Sequence, residues 1–273
     1  MPGSEECSKQ RTVVVKLGGS ILTDESAFAR AAGFLRDRMK HGPEERCVAV
    51  VSAQEGWTDA LERAARGITR APSARSLDLL WSTGEIRSVA LLTLHLEALG
   101  VRAAALNVAE TGLRLEEAPG RRVAVDTVRV RAALAEYTIA VVPGFLGTNS
   151  AGAVVTLGRG GSDLTAVLLA AGLGAVRCEL VKDVPGYFSA DPNRDATARQ
   201  LPLLTFAEAL ELADRGCDLV QRKAIEAAAD IGLPLVVRSL NGSALMTLVS
   251  AGAPQSLRAE RPAQHSEHLV SQA

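Results

Sequence analysis

Apolar, β-branched runs alternate with stretches of helical period along most of the chain. Residues 12–17 (TVVVKL), 47–52 (CVAVVS), 138–142 (TIAVV) and 176–181 read as buried strands. Residues 27–39 place Phe28, Ala31, Ala32, Leu35 and Met39 close to one helical stripe. Residues 59–65 and 76–99 predict helices, the second stopped by Gly100. A short strand is expected over 101–106. Residues 110–122, charged and holding Pro119 and Gly120, predict an exposed loop or hairpin. Asp126 is a good N-cap for a helix over 127–137. A glycine-rich segment, 143–161, precedes an apolar helix over 162–173. Thr205 and Glu208 (TFAE) form a capping-box pattern for a helix reaching Asp214. Residues 224–231 predict a further helix and 234–237 a final strand. From Ala251 the chain turns polar, and a disordered tail is expected over 251–273. Continuous apolar strands alternating with helices predict an α/β fold, a mainly parallel sheet with helices on both faces. If there are two lobes, their divide falls in residues 143–156.

Composition narrows the function. At 273 residues and 47% hydrophobic, the chain can bury a large core, as one large domain or two modest ones. A formal net charge of −1 argues against nucleic acid or an anionic membrane as the main partner, and 3% aromatic content argues against base-stacking platforms. Cys7, Cys47, Cys178 and Cys217 are far apart and the four histidines have no ligand spacing, so neither a disulfide framework, a zinc site nor another metal centre is expected. The polar residues 1–11 are an N-terminal extension rather than a secretory signal, and no apolar run spans a membrane. A cytoplasmic location is the expectation.

Five segments carry candidate chemistry. Lys16-Leu17-Gly18-Gly19-Ser20 follows a buried strand; its backbone can cradle phosphate, with Lys16 facing the charge that develops in phosphoryl transfer. Taken alone, Gly-Gly after a strand is as readily a tight turn, and the P-loop and GxGxxG spacings are absent. Gly158-Arg159-Gly160-Gly161-Ser162-Asp163 opens a helix, a natural anion site in which Arg159 can clamp a carboxylate or phosphate and Asp163 can orient a lysine such as Lys16. Ser162 as a plain N-cap fits equally well locally. Ser82-Thr83-Gly84-Glu85 is either a helix start or a functional interruption, with Glu85 accepting an ammonium. Ser52 and Thr58 follow the second strand, where open α/β sheets bind ligands; Thr58 as an N-cap is the simpler reading. Residues 182–193 (KDVPGYFSADPN) are either a turn-rich connection or a wrap around a nucleotide base and ribose. A carboxylate acceptor is already ionised at neutral pH, so the lack of a Ser-His-Asp set does not oppose phosphoryl transfer to one.

In this order the segments resemble the amino acid kinase family, and within it the aspartokinase catalytic domain. The carrying motifs are KLGGS, VVSAQEGWTD, STGEIRSVALL, GFLGTNSAGAVVTLGRGGSDLTAVLLA and KDVPGYFSADP, spread over residues 13–237. The resemblance implies a three-layer α/β/α sandwich with a mainly parallel sheet, the carbamate kinase-like fold. It implies a catalytic domain over 12–250, with an acceptor lobe over 12–142 and an ATP lobe over 143–250. It also implies ATP with Mg²⁺ carried on the nucleotide, L-aspartate as acceptor, 4-phospho-L-aspartate as product, a role in amino-acid biosynthesis, and a homodimer. Lys16 resembles the lysine that stabilises the transferring phosphoryl group, and Asp163 the aspartate that organises it. Gly18, Gly19, Ser20, Gly160 and Gly161 resemble the phosphate cradle. Arg159 and Ser162 resemble the groups that hold aspartate, with Ser52, Thr58 and Glu85 as further acceptor positions. Lys182, Asp183, Phe188 and Asp191 fall in the nucleotide-site segment.

The sequence departs from that pattern in places. Ser20 stands alone where GGTS is usual. Lys182, Phe188 and Asn193 stand where threonine, tyrosine and arginine are common, and residues 216–222 (GCDLVQR) stand where GAKVLHP is usual. The chain has no counterpart of C-terminal ACT regulatory domains, so no feedback inhibition by lysine or threonine is expected. Two other readings remain at this point: a family member with another acceptor, and a non-catalytic regulatory homologue.

Overall fold

The computed structural model describes residues 11–42, 45–116, 122–158, 160–190, 192, 194–240 and 245–252. Its element order is β1 (Arg11–Leu17), α1 (Glu25–His41), β2 (Glu45–Val51), α2 (Trp57–Ile68), α3 (Ala74–Ala98), β3 (Ala103–Ala105), β4 (Leu113–Leu115), β5 (Val123–Val125), α4 (Val128–Glu136), β6 (Ile139–Pro143), β7 (Leu146–Thr148), β8 (Val154–Thr156), α5 (Gly161–Leu173), β9 (Cys178–Lys182), β10 (Leu203–Thr205), α6 (Phe206–Asp214), α7 (Arg222–Ile231), β11 (Leu235–Ser239) and β12 (Met246–Ser250). Eight strands form one sheet in the order β10-β12-β11-β9-β1-β2-β6-β3. Every pairing in it is parallel except β11 with β12.

Strand alternation builds the two cores. On β1, Val13, Val15 and Leu17 point to one face and pack with Phe28 and Leu35 of α1 and Val89, Leu92 and Leu96 of α3. Val14 points to the other face, with Val167 and Leu169 of α5 and Ala224 and Ile225 of α7. Both faces are therefore covered, which is why β1, β2 and β6 read as unbroken apolar runs. The fold is the α/β/α sandwich that the sequence implied.

Several local expectations are corrected. The glycine-rich segment is not featureless: β7 and β8 pair antiparallel within it, and with β4 and β5 they make a small sheet ordered β5-β4-β7-β8. The strand at 234–237 is not the last, because β12 follows and pairs with β10. Residues 82–85 do not start a helix. They lie inside the 25-residue α3, where Ser82 and Thr83 donate to the Leu79 and Leu80 carbonyls at 2.7 Å each. Gly84 allows a close approach there, since a Cβ would stand 3.1 Å from the Ala53 Cβ. Neither Thr58 nor Ser162 is an N-cap: Gly56 and Gly160, both left-handed, precede those helices and leave the two hydroxyls free of capping. Asp126 accepts from the Val128 N–H, but Thr127 is the capping position of α4. The Thr205–Glu208 capping box is present as expected. Most of the expected tail lies outside the described residues. Among the described residues no helix is long and apolar enough to cross a membrane.

Candidate active site

Alternation also sets the site. Lys16 shares the face of Val14, so it leaves the C-terminal end of β1 towards α5. Lys182 shares the face of Leu180 and leaves the neighbouring β9 on the same side, two residues beyond the one that pairs with Lys16. Both meet Asp163 in the first turn of α5. Lys16 Nζ lies 2.8 Å from Asp163 Oδ1, and Lys182 Nζ lies 2.9 Å from Oδ2 and 3.2 Å from Oδ1. The Gln221 backbone N–H adds a contact to Oδ2 at 3.3 Å. The helix dipole further favours the aspartate.

Lys16 and Asp163 are buried, at 7% and 4% exposure, and the Lys182 side chain is 11% exposed. Burial alone would raise the Asp163 pKa, but the charges of Lys16 and Lys182 outweigh it and hold the carboxyl at about 2. Lys182 is lowered by burial and by its neighbour Lys16. Two cations therefore face one anion, leaving a surplus positive charge in a low-dielectric pocket.

That pocket has a volume of about 830 Å³ and is lined by Lys16, Gly19, Ser20, Ser52, Thr58, Glu85, Gly160, Gly161, Ser162, Asp163 and Lys182. Gly18 adjoins it; a Cβ there would stand 3.1 Å from Lys16 Nζ. Towards α3, Ser52 Oγ donates to Ser162 Oγ at 3.0 Å. Glu85 is 4% exposed and its Oε2 has no hydrogen-bond partner. Burial pushes Glu85 up to about 8, against a backbone hydrogen bond from Ala53 and the charge of Lys16. A buried carboxyl with an open acceptor, 25 residues of rigid helix behind it, is suited to an incoming ammonium.

Eleven of the expected site residues thus converge on one cavity. Asp183 is exposed and Phe188 half-buried, and neither lines it. Arg159 and Asp191 lie outside the described residues. Lys182 stands closer to the chemistry than its place in a nucleotide segment suggested, since it pairs directly with Asp163. Gln221 and Phe145 were not anticipated. Gln221 belongs to the segment that departs from the family pattern. Phe145, at φ +65, lines the cavity beside Trp81, their ring centroids 6.4 Å apart. The available signal was only position: Gln221 immediately precedes the helix α7, and Phe145 follows the buried strand β6.

The residues fit a polyphosphate. Glycine backbone at Gly19, Gly160 and Gly161, the N-terminus of α5 and the surplus lysine charge are all complementary to phosphate oxygens.

Comparison with known proteins agrees with this geometry. Residues 11–239 match the amino acid kinase family. The chain is 39% identical over 229 residues to an aspartokinase of Geobacillus stearothermophilus, covering 83% of this chain and 56% of that one. It therefore spans about half the length of the curated relatives it matches. Aspartate kinase from Synechocystis superposes with a TM-score of 0.80 at 34% identity, covering 89% of this chain and 40% of that one. E. coli aspartokinase III, solved with aspartate and ADP, gives 0.71 at 28% identity, covering 89% and 65%. A match over most of the chain, on a fold whose strand ends bring two lysines to one aspartate in a glycine-lined cavity, makes this chain a member of the amino acid kinase family.

Proposed function

We propose that the chain transfers the terminal phosphoryl group of ATP to the side-chain carboxylate of L-aspartate, giving 4-phospho-L-aspartate and ADP. The observation that carries this reading is the convergence of Lys16 and Lys182 on Asp163 at one end of the cavity, with Ser52, Ser162 and Glu85 towards α3. A phosphate-complementary end and an ammonium-complementary carboxyl in one pocket suit an amino-acid acceptor. The aspartate and ADP bound in E. coli aspartokinase III support the same assignment.

ATP supplies the phosphoryl group and carries Mg²⁺ on its phosphates. The protein's part is positioning and charge. Lys16 neutralises the equatorial oxygens of the transferring group, and Asp163 pairs with Lys16 and Lys182 and aims both. Backbone N–H groups at Gly18, Gly19, Ser20, Gly160 and Gly161 hold the phosphates. Ser52, Thr58, Ser162 and Arg159 hold the acceptor, and Glu85 takes its ammonium. An acceptor carboxylate oxygen attacks phosphorus as the bond to the bridging oxygen breaks; no proton moves, so no general base is required. Asp183, Phe188 and Asp191 serve the base and ribose end. The acceptor lobe (12–142) supplies Ser52, Thr58 and Glu85, and the ATP lobe (143–250) supplies Asp183, Phe188 and Asp191. Lys16, Gly18, Gly19 and Ser20 of the first reach the phosphates, while Arg159 and Ser162 of the second reach the acceptor. A homodimer completes the reading, supported by Leu79, Ile86 and Leu94, exposed about two turns apart along α3.

Hydroxylamine traps acyl phosphates, so the purified chain with Mg-ATP and L-aspartate should give aspartate-dependent hydroxamate, lost in Lys16→Met. ADP release with another acceptor and none with aspartate would move the substrate. ATP binding without turnover on any acceptor would favour a regulatory homologue.

A further inference from the structure

A second cavity, of about 980 Å³, lies on the α1 face of the sheet and shares no lining residue with the catalytic one. One wall is α1, presenting Phe34 and Arg38; the floor is β11 and β12, presenting Arg238, Met246 and Leu248. Behind it sits a compact charged network. Arg38 and Arg177 both bond Glu179 Oε1 and Glu45, at 2.8–3.1 Å, so two guanidinium groups hold two buried carboxylates, and Glu179 Oε2 is left without a hydrogen bond. Arg238 is the third guanidinium and has no third carboxylate. Its closest contact there, to Glu179 Oε2, is 3.6 Å, its Nε is buried without an acceptor, and it stacks over the Phe34 ring at 5.3 Å.

We propose that this groove binds a small organic anion, a carboxylate or phosphate monoester on an apolar body. The sign follows from the lining, where Arg30, Arg38, Arg177 and Arg238 are set against Asp37 and Glu179 and leave a surplus of positive charge on the cavity wall. The apolar body follows from Phe34, Met246 and Leu248, which an inorganic ion would leave wet. The volume is that of a site for a metabolite-sized molecule rather than for a single ion.

Calorimetric titration of the full chain with benzoate, phenyl phosphate, benzamide and inorganic phosphate tests this. Saturable binding of benzoate or phenyl phosphate, at least tenfold tighter than benzamide and inorganic phosphate, is expected; which of the two binds more tightly identifies the preferred head group. Arg238→Gln should weaken it at least tenfold, Arg238→Lys less, and Lys16→Met not at all. Met246 is 47% exposed, so Met246→Glu repeats the test without threatening the fold, and it too should weaken binding at least tenfold. No saturable binding, equal affinity for benzamide, or loss in Lys16→Met with retention in Arg238→Gln would each overturn the proposal. So would an anion-insensitive dimer in sedimentation velocity that dissociates in Met246→Glu, which would assign the groove to a second copy of the chain.

Discussion

Asp163 answers to two lysines at once, and that makes it the most consequential side chain in the molecule. Asp163→Asn should leave Lys16 and Lys182 buried without a counter-charge, at a cost of about 3–5 kcal/mol; urea denaturation checks this, and the hydroxamate signal should vanish with it. Its pH signature is set by sign. The carboxyl is held at about 2 in the folded chain against 3.8 for an ordinary aspartate, so its contribution is present above pH 4 and lost as pH falls through 2. The loss is on the order of 2 kcal/mol, read from stability curves with Asp163→Asn as the reference. Glu85 runs the other way. Raised from 4.5 to about 8, it favours folding fully below pH 4.5, and that contribution declines up to pH 8 by as much as ~1.4 kcal/mol per pH unit. Glu85→Gln should flatten that decline. If Glu85 receives the substrate ammonium, the KM for aspartate should also fall as pH rises towards 8, and Glu85→Gln should abolish the trend. Lys16, Asp163 and Glu85 were legible in the sequence because charged or polar residues broke apolar runs. The Lys182–Asp163 pair was not, since nothing in one strand reveals which side chain its neighbour sends to the same face.

At the scale of elements, the turn into α5 decides how closely the backbone can approach an anion. Gly160 has φ +71, and a Cβ there would lie 2.5 Å from the Gln221 side chain. Gly160→Ala should therefore cost about 1–3 kcal/mol and raise the KM for ATP more than that for aspartate; steady-state kinetics with each substrate varied separates the two. Long elements were read well. The strands that became β1, β2, β6 and β9, and the helices α1, α3, α5 and α7, have runs long enough for their period to register. β7, β8 and β10 have three residues each, too few for alternation to be seen. Helix starts at α2 and α5 were misplaced because a left-handed glycine did the work that a neighbouring hydroxyl was expected to do.

The whole molecule rests on two cores separated by the sheet, one under α1 and α3 and the other under α5, α6 and α7. Phe28 has no exposure and fills the first. Phe28→Ala should lower stability by about 3–5 kcal/mol. Because β1 contributes Val13 and Val15 to one core and Val14 to the other, thermal unfolding should remain a single transition, followed by circular dichroism and tryptophan fluorescence together. Neither core could be apportioned beforehand, because a strand buried on both sides looks the same whichever helices cover it.

What the chain determined by itself was local and periodic: which stretches are strands or helices, that the sheet is mainly parallel, and which short motifs break the apolar pattern with glycine and charge. Those follow from side-chain alternation and hydrophobic burial, which act within a few residues. Tertiary structure alone decided the strand order, the meeting of Lys16 and Lys182 at Asp163, the unpartnered Glu85 oxygen and the placing of three arginines against Glu45 and Glu179. Each depends on the register between strands distant in sequence, and register is set by packing across the whole sheet.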